Sequence, residues 1–182
     1  MKFVRYLFEY ILIIILFSLF RLLGYKIASE FGYLLGKTFG PLFRSKKIIK
    51  NNLVKFDSTL TPKKIASISK EMWGNYGRIL SEYPYISSFR KGDLDRYIKI
   101  ENKEKLEEIK ESQPVVFVSA HFSNFELMAM VIEKAGVNLS AIYRPLNNKM
   151  VNSIMEPLRK KYICKNQIKK GINGVRESLK FF

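Results

Sequence analysis

The residues best suited to catalysis in this chain are its only histidine, His121, and a glutamate five positions later, Glu126. Both lie in the segment VVFVSAHFSNFE, residues 115–126. If the histidine lies on a turn and the glutamate in the first turn of a helix, the carboxylate can accept a hydrogen bond from one ring nitrogen and fix the tautomer. The other nitrogen is then free to take a proton from a substrate hydroxyl. The pair therefore predicts general-base catalysis.

Both residues also have an ordinary structural interpretation. Ser123-x-x-Glu126 has the pattern of a capping box, in which the glutamate only satisfies the N-terminus of its helix. A single histidine at the end of a strand can equally be a core or surface residue. Neither Cys164 nor any serine has a second histidine to activate it, so a covalent mechanism would also have to use His121.

The elements around His121 are expected to place it at the edge of a buried sheet. Residues 115–118 are β-branched and aromatic, which predicts a strand buried on both faces and followed by a helix that ends near Gly136. Residues 138–143 predict a second strand, after which comes Arg144. If the strands are parallel, Arg144 lies at the same end of the sheet as His121. It could bind a phosphate or thioester oxygen there, or form a structural ion pair.

The remaining sequence predicts helices around a small, mostly parallel sheet, an α/β fold. A third strand is expected over 97–100, and helices over 44–55, 61–83, 102–112, 147–162 and after 171–174. The helix 61–83 has the clearest start, with Thr61 as N-cap and Pro62 in the first helical position. Gly32 and Gly36 lie four residues apart, so another helix or the bilayer could approach that face closely.

Residues 1–27 predict an N-terminal anchor that is embedded in a membrane or lies at its surface. Residues 10–20 carry no charge, and lysine and arginine side chains on both flanks can reach the headgroups. This apolar core is shorter than the roughly 20 residues that span a bilayer. A cleaved signal peptide and a helix packed in the protein core are the alternatives, although no small-x-small cleavage site follows Phe20. Positive charge on both flanks leaves the orientation open.

Composition indicates an anionic partner. The 182 residues contain 32 Lys and Arg against 16 Asp and Glu, a net charge of +16. Such a charge suits nucleic acid, a phosphorylated substrate, an acidic protein or an anionic membrane. With one cysteine and one histidine, an internal disulfide framework and a Cys/His zinc site are excluded, and a reduced, cytosol-facing domain is expected. No nucleic-acid-binding motif is visible, and the apolar N-terminus argues against that class.

Two segments together resemble a known family. Residues 120–127, AHFSNFEL, followed by residues 143–149, YRPLNNK, are similar to the bacterial lipid A biosynthesis acyltransferases, the late lauroyl and myristoyl transferases of the glycerolipid acyltransferase superfamily. The histidine–glutamate spacing alone is weak, but with the second segment about twenty residues later it is specific. The resemblance extends over essentially the whole chain, with support from residues 51–56 and 73–82.

This resemblance implies transfer of a fatty acyl group from acyl carrier protein to a hydroxyl of a phosphorylated glucosamine lipid. By analogy His121 is the general base, Glu126 orients it, and Arg144 binds phosphate or the acyl donor. Asn147 and Asn148 match the motif as substrate-binding residues. No cofactor or metal is implied. The partners would be the carrier protein, the glycolipid and an anionic membrane, with the catalytic domain at the cytoplasmic face of the bacterial inner membrane.

Family members continue beyond a segment like 171–176 into further strands. The expectation is therefore an anchor over residues 1–27 and a catalytic domain over 28–182 that lacks its C-terminal part, an incomplete acyltransferase fold. Two alternatives follow: a glycerophospholipid acyltransferase, in which aspartate usually replaces Glu126, and a non-catalytic membrane-bound remnant. A nucleic-acid-binding domain is the remote alternative.

Overall fold

The computed structural model describes residues 2–42, 45–110 and 114–181. Helices dominate these residues and flank a small parallel sheet, so the expected α/β class is confirmed. The elements in chain order are α1 (Lys2–Leu23), α2 (Tyr25–Phe39), α3 (Lys46–Phe56), α4 (Pro62–Glu82), α5 (Ile86–Lys91), α6 (Glu104–Lys110), α7 (Glu126–Lys134), β1 (Ser140–Tyr143), α8 (Lys149–Tyr162), β2 (Asn166–Lys169) and α9 (Ile172–Ser178).

The chain divides into two compact units, of which one is Leu16–Pro84. This unit is organised around α2 packed on α4. Helix α4 begins as predicted, because the Thr61 hydroxyl accepts a hydrogen bond from the backbone N–H of Lys64 at 3.3 Å and Pro62 is the first helical residue. The residues Thr61 and Pro62 therefore predicted the start of α4 correctly.

Glycines bring α2 and α4 into backbone contact. A Cβ at Gly77 of α4 would collide with the carbonyl oxygen of Gly32, and one at Gly36 would collide with the carbonyl oxygen of Trp73. The prediction that another helix could approach the face of Gly32 and Gly36 is confirmed. At the end of α4 the buried Glu82 accepts a hydrogen bond from the Ser29 hydroxyl of α2 at 2.8 Å, so the interface also contains a satisfied polar pair.

The other unit comprises Met1–Ile15 and Tyr85–Phe182. Its sheet consists of β1 and β2, which pair in parallel with Ser140 opposite Asn166 and Tyr143 opposite Lys169. Helix α8 connects the two strands, as a parallel pair requires. Buried side chains under this arrangement include Phe89, Met130, Met155 and Ile168.

Two predicted strands are wrong. Residues 115–118 form no strand, and Val118 is 90% exposed. Residues 95–97 form a 3-10 turn, and 98–100 have no strand partner in the described part of the chain. β-Branched composition favours extended backbone, but a strand also needs a neighbour, and that neighbour is set by distant sequence. A strand–helix–strand unit does occur, but it consists of β1, α8 and β2, which lie later in the chain than predicted.

Strand β2 was missed because its sequence, NQIK, has no apolar run. The second predicted strand is confirmed as the shorter β1, and the predicted helices correspond to α3, α4, α6, α8 and α9 with shifted ends. Two predicted helix bounds, the start at Arg44 and the end at Ser112, lie outside the described residues.

Helix α1 is the one helix in the described residues whose length and apolar composition would suffice to cross a bilayer, and little of it is buried. Its exposed side chains include Phe3, Phe8 and Ile15. The division into compact units falls within α1. The expected assignment of residues 1–27 as anchor and 28–182 as catalytic domain stays a prediction.

Candidate active site

His121 lies on an exposed loop that leads into α7. The loop turns at Ser123, whose φ of 44° is a left-handed conformation that only a few per cent of non-glycine residues adopt. The imidazole packs against the ring of Phe125, with centroids 4.3 Å apart and planes inclined by 59°. One face of the histidine is therefore supported by the protein while the side chain remains accessible.

Glu126 is the first residue of α7 and is 8% exposed. Its carboxylate accepts hydrogen bonds from Arg159 of α8: Nη2 lies 2.6 Å from Oε1, and Nε lies 3.1 Å from Oε2. The N-terminal position in the helix also favours negative charge. Glu126 is thus a paired, buried carboxylate at the start of the helix that follows His121.

The contacts of Glu126 bear on two expectations from the sequence. The capping box is wrong, because the residue at the N-cap is Phe125 and no side chain caps the helix. No hydrogen bond joins His121 to Glu126 among the described residues, where Arg159 is the partner of the carboxylate, so the role of Glu126 in orienting the histidine stays a prediction. A guanidinium presents two charged donors to one carboxylate, whereas an imidazole presents one, so the arginine is the stronger partner.

Arg159, the partner of Glu126, is the residue of the cleft that the sequence interpretation missed. The sequence does contain a signal. Arg159 lies four residues after Met155 and four before Ile163, and both of those are buried. Residues four apart share one face of a helix, and an arginine on a buried face is rarely left unpaired.

An open cleft of about 990 Å³ brings the site residues together. Its polar lining includes His121, Glu126, Arg144 and Arg159, and its apolar lining includes Phe117 and Ile142. His121 and Arg144 both line this cleft, although residues 115–118 are not a strand. A cleft with one histidine, two arginines and apolar walls can accommodate an anionic group beside a hydrocarbon chain.

Arg144 directly follows β1 and is exposed. It makes no ion pair within the described part of the chain, so its guanidinium is available to a ligand. Asn147 is also exposed, but it does not line the cleft. The assignment of Asn147 to substrate binding stays a prediction.

Asn148 is buried, and its side chain is fully engaged. The carboxamide oxygen accepts hydrogen bonds from the backbone N–H groups of Met150 and Val151, which makes Asn148 the N-cap of α8. The amide nitrogen donates to the carbonyl oxygen of Tyr6 and to the carboxylate of Glu9, each at 2.9 Å. The structure therefore gives Asn148 a set of protein partners, and its assignment to substrate binding is a prediction without support from this geometry.

Two further side chains bear on the chemistry of the cleft. Tyr143 lines it with a buried hydroxyl that lies close to the Glu156 carboxylate. Burial, with the Glu156 carboxylate nearby, raises the pKa of that hydroxyl, so it is a neutral potential donor. Cys164 is fully buried, its thiol donates to the carbonyl oxygen of Leu139, and burial raises its pKa. A covalent mechanism through Cys164 is not favoured, because a reactive cysteine is an accessible thiolate.

Comparison with known proteins gives one match. The family described as "Bacterial lipid A biosynthesis acyltransferase" matches residues 1–180. No curated protein and no solved structure matches significantly. The match covers the segment with His121 and Glu126 and the segment with Arg144, the same two segments that line the cleft.

Proposed function

The chain belongs to the bacterial lipid A biosynthesis acyltransferase family, and we propose that it transfers a fatty acyl group from acyl carrier protein to a hydroxyl of a phosphorylated lipid A precursor. That it is an acyltransferase of lipid A synthesis follows from the family. The donor, the acceptor and the residue roles are proposals. The observation that carries them is that His121, Glu126 and Arg144 line one cleft.

The proposed base is His121. A ring nitrogen takes the proton of the acceptor hydroxyl as its oxygen attacks the thioester carbonyl. A C–O bond forms, the C–S bond breaks, and the proton passes to the departing sulfur, which leaves as the carrier's thiol. The exposed ring suits this role, because a bulky lipid hydroxyl must be able to reach it. A positioned base of this kind contributes about 10²–10⁴-fold to the rate.

Glu126 is proposed to orient His121 while Arg159 holds the carboxylate in place. A carboxylate has about four acceptor positions, and the contacts with Arg159 reach both oxygens without using all four positions. A histidine N–H can therefore bind Glu126 without displacing the arginine. Such a contact forms more readily in a substrate complex than in the free enzyme, where catalytic hydrogen bonds are often long.

Arg144 is proposed to bind the phosphate of the acceptor or the oxygen of the thioester. Its guanidinium is exposed and lines the same cleft as His121. A bidentate bond from arginine to phosphate would fix the acceptor with its hydroxyl near the base. The net charge of +16 would in addition attract an acidic carrier protein and an anionic membrane.

The protein is membrane-associated, as the family and the apolar helix α1 indicate. We place it at the bacterial inner membrane with the cleft on the cytoplasmic side. The face of α2 opposite its glycines offers a second lipid contact, because Ile27 and Leu34 are 61% and 57% exposed and follow each other at helical spacing. Small residues toward a helix and large apolar ones outward are typical of membrane-contacting helices.

The test is an acyl-transfer assay with the purified protein in anionic vesicles and a labelled acyl carrier protein. Two acceptors are compared, a lipid A precursor and a 1-acylglycerol phosphate, and the products are identified by mass spectrometry. We expect an acyl-chain mass increase on the lipid A precursor alone, without added metal or cofactor. Transfer only to the glycerol phosphate would favour the phospholipid alternative, and transfer to neither would identify a non-catalytic member of the family.

A further inference from the structure

The first turns of α1 are bonded to the start of α8 through one side chain. Asn148 donates from its amide nitrogen to the Tyr6 carbonyl oxygen and to the Glu9 carboxylate, each at 2.9 Å. Glu9 also accepts from Arg5 one turn earlier, at 2.8 Å. Asn148 is only 7% exposed, while the Glu9 side chain is 35% exposed, so these contacts are partly buried. Hydrogen bonds to a charged group in such a position are stronger than neutral ones on the surface.

The two ends of the Asn148 carboxamide have separate tasks. The oxygen caps α8 by accepting from Met150 and Val151. The nitrogen connects that cap to α1. Because a cap needs only an acceptor, the connection to α1 is not required for the helix to begin. The amide nitrogen of Asn148 therefore contributes a contact with α1 that is separate from the cap.

Helix α8 leads from this connection to the cleft. It is a 14-residue helix, and Arg159 lies in its last turns, where the guanidinium binds the Glu126 carboxylate. A helix transmits a displacement of its N-terminus along its axis through its backbone hydrogen bonds. Helix α8 is continuous from Lys149 to Tyr162, although Pro157 within it lacks the N–H for one of those bonds. A shift of Asn148 would therefore move α8 and change the position of the Arg159 guanidinium relative to the Glu126 carboxylate.

We propose that α1 is a positioning element of the acyl-transfer site as well as a membrane anchor. Glu9 and the Tyr6 carbonyl fix the N-terminus of α8 through Asn148, and α8 in turn sets Arg159 against Glu126. The proposal rests on the proposed function for its effect on catalysis. It assigns Asn148 and Glu9 as positioning residues that act without touching the substrate.

The substitution Asn148→Asp separates the cap from the connection. Aspartate caps a helix as well as asparagine does, but it cannot donate, and its carboxylate faces Glu9. We expect kcat to fall about tenfold with little change in KM, since a charged hydrogen bond is lost and a like-charge contact is created. Asn173→Asp makes the same change of charge at an exposed position of α9 and should leave kcat unchanged.

The second variant adds Glu9→Gln to Asn148→Asp. The glutamine amide can donate to the new carboxylate, so the connection is rebuilt with donor and acceptor exchanged, and we expect most of the lost kcat to return. A defect confined to the cap of α8 would not be rescued by a residue of α1. Full activity of Asn148→Asp, or no rescue by Glu9→Gln, would overturn the proposal.

Amide hydrogen exchange provides a readout that does not depend on catalysis. Asn148→Asp should speed exchange over residues 4–12 of α1 while the capped amides of Met150 and Val151 keep their protection, and the double variant should reverse the change. If the wild type transfers no acyl group, the proposed function fails, but hydrogen exchange still tests the contact between Asn148 and α1. Unchanged exchange in α1 would contradict the contact whatever the activity.

Discussion

The α2–α4 pair and the cleft of the other unit are held together in opposite ways. In the pair, glycines let two helix backbones touch, so position is fixed along a whole interface. In the cleft, the loop with His121 is exposed, and the neighbouring helices α7 and α8 are joined by the ion pair of Glu126 and Arg159. The helical pair is therefore expected to resist added volume, whereas the cleft should depend on a few charges.

The largest effect is expected at the buried ion pair. Arg159→Met should lower the free energy of unfolding by about 3–5 kcal/mol, because it leaves the Glu126 carboxylate buried without a partner. Chemical denaturation in detergent measures the change. The control Lys160→Met breaks a partly exposed pair with Glu156 in the same helix and should cost about 0–1 kcal/mol. Equal losses in the two variants would contradict the account of the cleft.

The second largest effect is expected in the contact between α2 and α4. Gly77→Ala should destabilise the protein by about 1–3 kcal/mol, since the new methyl group must displace the backbone of Gly32 rather than a flexible side chain. Ser67→Ala, at an exposed position of the same helix, should change stability by less than about 0.5 kcal/mol. Chemical denaturation measures both changes. Unchanged stability of Gly77→Ala would mean that the helices are not in backbone contact.

A smaller loss is expected at the start of α4. Thr61→Ala removes the acceptor for the Lys64 N–H and should cost about 1 kcal/mol, while Thr61→Ser keeps the acceptor and should cost much less. Thermal unfolding of the three proteins tests this. If serine and alanine behave alike, the hydroxyl does not contribute to the cap.

The smallest effect is expected in the segment before His121. Val118→Thr should change stability by less than about 0.5 kcal/mol, because the side chain is 90% exposed. In a strand buried on both faces the same change would bury a hydroxyl and cost about 1–3 kcal/mol. The two values distinguish the observed loop from the strand that composition predicts, and denaturation of the single variant is sufficient.

These differences show what the sequence can predict. The start of α4 depends on Thr61 and Pro62, which are adjacent, and the close approach at Gly32 depends on small residues at a fixed spacing. Both were predicted correctly. Residues 115–118 have the composition of a strand, but pairing depends on a distant partner, so the prediction failed, and β2 escaped notice because polar residues form most of it.

In the candidate site, too, local features were predicted and long-range contacts were not. His121 and Arg144 were identified from residue types after predicted strands, and they line one cleft. The partner of Glu126 was not, because the contact joins residues 33 positions apart and nothing in either segment alone specifies it. Asn148 was recognised as part of a motif, but its contacts with Tyr6 and Glu9 depend on a segment more than a hundred residues away.

The central claim is that the His121 ring removes the proton of the acceptor hydroxyl, and the most direct test is the single-turnover rate of acyl transfer in His121→Ala. Phe122→Ala, at the next exposed position of the loop, is the matched control for disturbance of the loop. We predict a rate about 10²–10⁴-fold lower for His121→Ala and a nearly unchanged rate for the control. Equal rates in His121→Ala and the wild type would contradict the claim.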